Sequence, residues 1–159
     1  MVKYQKGCDI YMKIAIATDH NGVDVKKEIK AYLKNQGIEV IDFSQHNSAV
    51  DDYPMYAFEV GEYIAGGNAD FGILLCGTGI GMSIAANKVK GIRCAHVSNT
   101  SEAILARNHN NANIIALGIN NNKVNDILKM IDLFINTDFK KEERHIRRNN
   151  QISEYENKR

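Results

Sequence analysis

The chain of 159 residues has 20 basic and 19 acidic side chains, and its formal net charge of +1 gives no overall field for binding nucleic acid or an anionic membrane. Apolar residues make up 44% and charged residues 25%, a composition that is typical of folded globular proteins and excludes a disordered or membrane-embedded chain. At this length we expect one domain, because domains average roughly 150 residues.

The N-terminal segment, MVKYQKGCDIY, lacks the apolar stretch of a signal peptide. No segment of the chain reaches the roughly 18 to 20 apolar residues that a membrane span needs. We predict a disordered extension at residues 1–11 and a single cytoplasmic domain at residues 12–159. The cysteines, Cys8, Cys76 and Cys94, are odd in number and widely spaced, which favours neither a disulfide framework nor a zinc site.

Short apolar runs alternate with segments of helical periodicity along the chain. In chain order they predict a strand at residues 12–18, a helix from Val25 to Gly37, a strand at 38–43, a helix at 55–65, a strand at 71–75, a helix at 82–88, a strand at 93–97, a helix at 100–107, a strand at 114–117 and a helix at 124–135. This alternation predicts an α/β fold: a three-layer α/β/α sandwich with a five-stranded parallel, Rossmann-like sheet, followed by a C-terminal helix. In such sheets ligands bind beyond the carboxyl ends of the strands.

The most constrained feature of the sequence is the segment CGTGIGM, which begins where the third predicted strand ends. Gly77, Gly79 and Gly81 allow several backbone N–H groups to point into one small volume, where the start of the next helix adds positive potential. Such a loop is suited to hold a phosphate or a transient oxyanion. A glycine-rich turn without a ligand is the alternative interpretation.

The spacing within this loop argues against three familiar phosphate-binding motifs. Met82 stands where a dinucleotide fingerprint requires its third glycine, and also where a C-x5-R phosphatase loop requires its arginine. The Lys-Ser or Lys-Thr pair of a Walker A loop is absent. The loop therefore predicts an anion site of another kind.

Cys76 at the mouth of this loop is a candidate base or nucleophile, because surrounding amides favour a thiolate. Without the glycines, a cysteine that ends an apolar strand is more often a small core residue. Cys8 and Cys94 are interpreted as structural or incidental.

Two of the five histidines lie where this fold is expected to bind ligands. His20 follows the first predicted strand, and His109 lies in RNHNNAN just before the fifth. His46 in a polar loop and His96 in a strand are interpreted as structural.

The segment RHIRR near the C-terminus places Arg144 and Arg148 four residues apart. On a helix they share one face, where two guanidinium groups can bind one phosphate. A solvated basic patch is the alternative.

The segments ATDH, DYP, CGTGIG, AANK, HNNAN and RHIRR occur in an order that closely resembles the type B ribose-5-phosphate isomerases, from Lys13 to about Glu154. Galactose-6-phosphate isomerase subunits and allose-6-phosphate isomerase belong to the same family. The resemblance implies an aldose–ketose isomerase that interconverts D-ribose 5-phosphate and D-ribulose 5-phosphate through a cis-enediolate. It implies neither a metal ion nor an organic cofactor.

The resemblance also implies a role for each candidate residue. Cys76 matches the base, His109 matches the acid that opens the sugar ring, and the Thr78 hydroxyl matches a group that handles protons on the sugar oxygens. The loop amides match the donors to the anionic intermediate. The implied substrate contacts are Asp19, His20, Gly77, Thr78, Gly79, Ile80, Gly81, Asn110, Arg144 and Arg148.

The sequence departs from the pattern of some relatives at two positions. Some carry a glutamate base at the position of Met82, so this chain is of the cysteine kind. Many carry an arginine at the position of Asn120, which predicts a weaker phosphate contact or a shifted substrate preference here.

Relatives are dimers with shared active sites, so the resemblance implies a homodimer in which the partner supplies the His109 segment, with a tetramer left open. Three rival functions remain: an isomerase of a six-carbon sugar phosphate, a non-catalytic phosphate-binding module and a cysteine phosphatase. The phosphatase is the rival that Met82 weakens.

Overall fold

A computed structural model of the chain describes residues 11–158, so the predicted N-terminal extension lies outside the described residues except for Tyr11. The strands are β1 (Lys13–Thr18), β2 (Glu39–Asp42), β3 (Phe71–Cys76), β4 (Cys94–Val97) and β5 (Ile114–Gly118). Every pair is parallel, and the spatial order is β2-β1-β3-β5-β4. The predicted five-stranded parallel sheet is confirmed.

The described residues form six α-helices, which follow the strands in the predicted alternation. They are α1 (Val23–Asn35), α2 (Tyr53–Ala65), α3 (Ile80–Ala86), α4 (Thr100–Asn110), α5 (Val124–Ile135) and α6 (Glu143–Glu156). The predicted C-terminal helix is confirmed as α6. None of the helices in this part of the chain is long and apolar enough to span a lipid bilayer.

Two helix boundaries differ from the prediction in ways that matter for the site. Helix α3 begins at Ile80 rather than Met82, so Ile80 and Gly81 lie in its first turn. Helix α4 continues to Asn110 rather than ending at 107, because the chain leaves the helix only at Asn111, which has a left-handed φ of 45°. His109 therefore lies in the last turn of a helix and not in a loop.

The helices cover the sheet on both faces, as predicted for a three-layer sandwich. On β1, Ile14 and Ile16 join the hydrophobic core formed with α1, α4 and α5. Ala15 and Ala17 face the opposite core, formed with α2 and α3. This separation follows from the two-residue period of a strand, in which successive side chains point to opposite faces.

The winding of the sheet reverses between β1 and β3, because the chain first adds β2 on one side of β1 and then adds β3 on the other. In open parallel sheets such a reversal leaves a crevice beyond the carboxyl ends of the two strands. Those ends carry Thr18 and Cys76, which places Asp19 and the glycine loop at the crevice.

A buried ionic network supports the end of β1. Lys26, of which only 4% is exposed, donates from Nζ to Asp42 Oδ1 at 3.1 Å and to Ser44 Oγ at 2.9 Å. Ser44 Oγ in turn accepts the backbone N–H of Thr18 at 2.9 Å. The network thus joins α1 and β2 to the residue that precedes Asp19.

The carboxylate of Asp42 is held in its charged form. Burial by itself raises the pKa of Asp42, but hydrogen bonds from Lys30, the Ser44 backbone and Lys26 outweigh it, so that the pKa lies below its ordinary value. A group with a lowered pKa in the folded state stabilises the fold above its unfolded pKa and loses that contribution as the pH falls through the folded value.

We expect Asp42→Asn to destabilise the protein at neutral pH by about 3 to 5 kcal/mol, because it leaves the buried Lys26 without its carboxylate partner. The variant should also lose less of its remaining stability than the wild type as the pH falls below about 4, since the titrating group is gone. Urea unfolding at a series of pH values measures both effects. Asp24→Asn, which removes an exposed pair with Lys27, is the matched control and should change little. An equal effect of the two substitutions would contradict the role of the network.

Candidate active site

A cavity of about 480 Å³ lies at the predicted crevice, outside the carboxyl ends of β1 and β3. It is lined by Asp19, Tyr53, Cys76, Gly77, Thr78, Ile80, Gly81 and Ile84. The structure thus brings together Asp19, Cys76 and most of the glycine loop, as the sequence predicts.

The thiol of Cys76 is held by the loop that follows it. Only 5% of Cys76 is exposed, and its Sγ accepts the backbone N–H of Gly79 at 3.0 Å. Gly79 has a φ of +80°, and a Cβ atom there would lie 2.8 Å from the backbone nitrogen of Gly118. Only glycine fits this position, because both the left-handed backbone and the close approach to β5 exclude a side chain.

The carboxylate of Asp19 is fixed at the same cavity. Its Oδ1 accepts the backbone N–H of Asn21 at 2.9 Å, and its Oδ2 accepts the Asn21 amide at 3.0 Å. Only 5% of Asp19 is exposed, so the side chain has little freedom to move. The neighbouring His20 is exposed in a short 3₁₀ turn at the same edge of the sheet, but does not line the cavity.

Tyr53 also lines the cavity, a role that the sequence analysis did not assign. A Cβ atom at Gly81 would lie 2.5 Å from Cζ of the Tyr53 ring, so the ring packs directly on the first turn of α3. The loop before Tyr53 is anchored by Asn47, which donates to the Thr18 carbonyl at 2.9 Å and to Asp51 at 2.7 Å. The hydrogen bond from Asn47 is the main cause that lowers the pKa of Asp51 to about 2.

Four other predicted residues form a second group together with His145, which was not predicted. We call this group the α4–α6 cluster; it consists of His109, Asn110, Arg144, His145 and Arg148. The His109 and His145 rings stack with centroids 4.3 Å apart and an interplanar angle of 13°. Burial lowers the pKa of His145, and the neighbouring His109 and Arg144 add to this effect. Arg144 and Arg148 are exposed on α6.

The two groups lie at opposite edges of the sheet. Cys76 pairs with Gly118 at the carboxyl end of β5, whereas His109 lies in the last turn of α4, just before the amino end of β5. Five strand residues at about 3.3 Å each separate these edges by roughly 15 Å. Within one chain, His109 does not lie at the edge of the sheet where Cys76 and the cavity lie, so the prediction that it lies at the fold's ligand-binding edge is wrong for a single subunit.

Three further residues are placed by the structure. Burial raises the pKa of Cys94 to about 12, so this thiol is protonated and inert at neutral pH. Met82 is fully buried among core residues. Asn120 lies at the loop, where its Nδ2 would be 3.0 Å from a Cβ atom at Gly77.

No group of three or more His, Cys, Asp or Glu side chains within residues 11–158 is arranged to hold a metal ion. The polar groups of the cavity are instead a carboxylate, a phenol, a thiol and the hydroxyl of Thr78. These groups can take part in proton transfer on a polar substrate.

The sequence profile of the Ribose/Galactose Isomerase family matches residues 14–152, which include both groups of site residues. The chain belongs to the ribose/galactose isomerase family. It is therefore an enzyme of the sugar phosphate isomerase class, as the resemblance implied.

Relatives in this family extend over most of the chain. A Bacillus subtilis protein, YwlF, which is provisionally assigned as a sugar phosphate isomerase, is 47% identical over 92% of this chain and 99% of its own length. Ribose-5-phosphate isomerase B of Escherichia coli is 50% identical over 67% of this chain and 71% of its own. The crystal structure of ribose-5-phosphate isomerase B from Mycoplasma genitalium with bound ribulose 5-phosphate has a TM-score of 0.89 and 39% identity, covering 93% of this chain and 98% of that one.

Proposed function

We propose that this isomerase interconverts D-ribose 5-phosphate and D-ribulose 5-phosphate in the cytoplasm, with Cys76 as the base. The hydrogen bond from the Gly79 N–H to Cys76 Sγ, at 3.0 Å, is the observation that carries the proposal. It places a thiol and a backbone donor at one point of a cavity that also contains a fixed carboxylate. The ribulose 5-phosphate bound in the Mycoplasma genitalium relative supports this choice of substrate.

The proposed chemistry is a proton transfer between two adjacent carbons. The Cys76 thiolate removes the proton from C2 of the open-chain aldose, and the electron pair moves so that the oxygen on C1 becomes anionic in a cis-enediolate. The thiol then returns the proton to C1, while the hydroxyl proton on O2 passes to O1 with the help of Thr78. The backbone amides of the loop from Gly77 to Gly81 are the proposed donors to the anion, apart from the Gly79 N–H, which donates to Cys76 Sγ.

Asp19 is proposed to bind sugar hydroxyl groups, because its carboxylate is buried at the cavity and held in one orientation by Asn21. His20 lies at the same edge and is exposed, which suits contact with the phosphate group at the mouth of the cavity. Both assignments agree with the roles that the family resemblance implies.

The active site is proposed to be shared between two subunits of a homodimer. Within one chain the cavity lacks His109, Asn110, Arg144 and Arg148, because a strand length separates the two edges of the sheet. The cavity is bordered by large exposed apolar side chains, Ile80 at 52% and Ile84 at 59% exposure, and Ile152 of α6 is 51% exposed. Burying such side chains favours association. In the dimer the partner's α4–α6 cluster would cover the cavity.

In this arrangement the partner subunit's His109 opens the furanose ring by protonating the ring oxygen. Asn110 contacts a sugar hydroxyl, and the exposed guanidinium groups of Arg144 and Arg148 bind the phosphate. Within one subunit His145 stacks on His109, and the Asn149 amide donates to the His109 carbonyl at 3.0 Å. These contacts hold the end of α4 on α6 and so fix the acid relative to the phosphate-binding arginines.

Arg144→Ala should mainly raise KM and leave kcat nearly unchanged, because it removes a charge-assisted contact to the substrate phosphate worth about 1.5 to 3 kcal/mol. Initial velocities over a range of ribose 5-phosphate concentrations measure both constants. Arg147→Ala is the matched control, since it removes the same charge from the same helix. Each substitution also removes one ion pair with a nearby glutamate, Glu142 for Arg144 and Glu143 for Arg147. Equal KM values for the two variants would indicate that Arg144 does not bind the phosphate and belongs to a solvated basic patch.

The proposed substrate is tested by assaying the purified protein with ribose 5-phosphate, allose 6-phosphate and galactose 6-phosphate. We expect the highest kcat/KM with ribose 5-phosphate. Preference for a six-carbon sugar would contradict the proposal and would direct attention to Asn120, where many relatives carry an arginine. Turnover of none of the three would favour a binding module, and release of inorganic phosphate would favour a phosphatase.

A further inference from the structure

We propose that His96 is a positioning residue that fixes the Thr78–Gly79 peptide, so that the Gly79 N–H points at Cys76 Sγ. This inference rests on the proposed function for the catalytic role of Cys76. His96 lies on β4, two strands away from β3, and its side chain is exposed. It therefore reaches the loop from outside the cavity.

The contact itself defines the direction of the hydrogen bond. His96 Nε2 lies 2.9 Å from the carbonyl oxygen of Thr78. A carbonyl oxygen only accepts, so Nε2 must carry a hydrogen and donate it. The Nε2–H tautomer and the protonated ring both meet this requirement, whereas the Nδ1–H tautomer does not.

The same peptide unit carries both contacts. The carbonyl group of Thr78 and the N–H group of Gly79 belong to one planar unit and point in opposite directions when the peptide is trans. His96 binds the oxygen at one end of this unit, and Cys76 Sγ accepts the hydrogen at the other end at 3.0 Å. A rotation of the peptide plane that breaks one contact must therefore also misalign the other.

The packing around the peptide restricts the alternatives open to it. A Cβ atom at Gly118 would lie 2.5 Å from the Thr78 oxygen, and one at Gly79 would lie 3.0 Å from Cδ2 of His96. The Thr78 carbonyl thus lies closely against β5 on one side and is bound by the His96 ring. Close packing limits the positions open to the Thr78 oxygen, and the hydrogen bond from His96 favours one of them.

The function of this arrangement is electrostatic. A backbone donor aimed at sulfur stabilises the charged thiolate more than the neutral thiol, and it does so without reorganisation during the reaction. Loss of the His96 donor removes the contact that selects the direction of this peptide within its packing, which weakens that stabilisation. Substrate contacts made by Asp19 and the α4–α6 cluster do not pass through this peptide, so the effect should fall on kcat rather than on KM.

Two substitutions separate hydrogen bonding from packing. His96→Phe keeps a flat ring but removes the donor, whereas His96→Gln loses the ring but can place an amide donor near the position of Nε2. We expect His96→Phe to lower kcat roughly three- to tenfold, the equivalent of one net hydrogen bond, with little change in KM. His96→Gln should restore most of the loss. His46→Phe, at an exposed histidine that does not line the cavity, should behave as the wild type.

A spectroscopic measurement tests the orientation independently of activity. In ¹⁵N-labelled protein, the Gly79 amide resonance should move when Cys76→Ala removes its acceptor. His96→Phe should move the same resonance and increase its rate of amide hydrogen exchange, and His96→Gln should return both values toward the wild type. His96→Ala serves as a second donor-free variant in case the phenylalanine variant does not fold.

Two results would overturn the inference. One is an unchanged Gly79 resonance in the donor-free variants, and the other is an equal effect of His96→Gln and His96→Phe on kcat. Neither depends on which sugar is the substrate. Failure of the proposed function would appear instead as undiminished turnover by Cys76→Ala or as preference for another sugar phosphate.

Discussion

Replacing Cys76 with alanine is expected to abolish isomerisation, lowering kcat by about 10²- to 10⁴-fold, the usual contribution of a positioned acid–base group. The substitution removes the proposed base but retains the loop amides and Asp19. The lost sulfur is a small part of the core, so the fold should persist. Ribulose 5-phosphate should still bind, which calorimetric titration of the variant measures directly.

Cys94→Ala provides the matched control for this experiment. Cys94 is 8% exposed, comparable with the 5% of Cys76, so both substitutions remove a buried thiol from the same face of the sheet. The Cys94 thiol has a pKa of about 12 and does not line the cavity, so its loss should leave kcat unchanged. Undiminished turnover by Cys76→Ala, or a comparable loss of activity in both variants, would show that Cys76 is not the base.

The second large effect is expected in mixtures of two inactive variants. Cys76→Ala and His109→Asn homodimers should each be nearly inactive with ribose 5-phosphate, because one lacks the proposed base and the other lacks the proposed ring-opening acid. If each site combines one edge of the sheet from each subunit, a mixed dimer contains one intact site and one doubly altered site. Random pairing of equal amounts should then restore about one quarter of the wild-type activity per chain.

Coexpression of the two variants with different affinity tags, followed by tandem purification, isolates the mixed dimer and avoids reliance on subunit exchange. The control is a mixed dimer of one wild-type chain and one chain that carries both substitutions. If the sites are shared, each of its two sites lacks one of the two groups. That dimer should be nearly inactive. Activity in the control together with inactivity in the mixed variants would mean that one chain supplies both groups.

The sequence was sufficient to predict the layers of the fold and one half of the candidate site. The apolar runs that end at Thr18 and Cys76 identify β1 and β3, and parallel strands bring their carboxyl ends to one edge. For that reason Asp19 and the glycine loop could be expected to meet. The φ of +80° at Gly79 agrees with the expectation that the loop needs glycine for a backbone conformation that other residues rarely adopt.

The other half was harder to predict because it depends on contacts between distant segments. The end of α4 is set by a left-handed Asn111, which the run RNHNNAN does not distinguish from its other asparagines. Tyr53 and His96 acquire their roles only when α2 and β4 pack beside the loop. Neither a tyrosine before a proline nor a histidine in a strand has a local sequence pattern that indicates such a role. The DYP segment, which contains Tyr53, was noted only as part of the family resemblance.

The five-residue length of β5 has a consequence for how the enzyme works at low abundance. If the proposed homodimer shares its active sites, an isolated subunit would hold two incomplete half-sites, one at each end of the strands. On dilution below the dissociation constant of the dimer, the number of complete sites would fall with the square of the chain concentration. Specific activity would then depend on the chain concentration and would measure the fraction of chains that are in dimers.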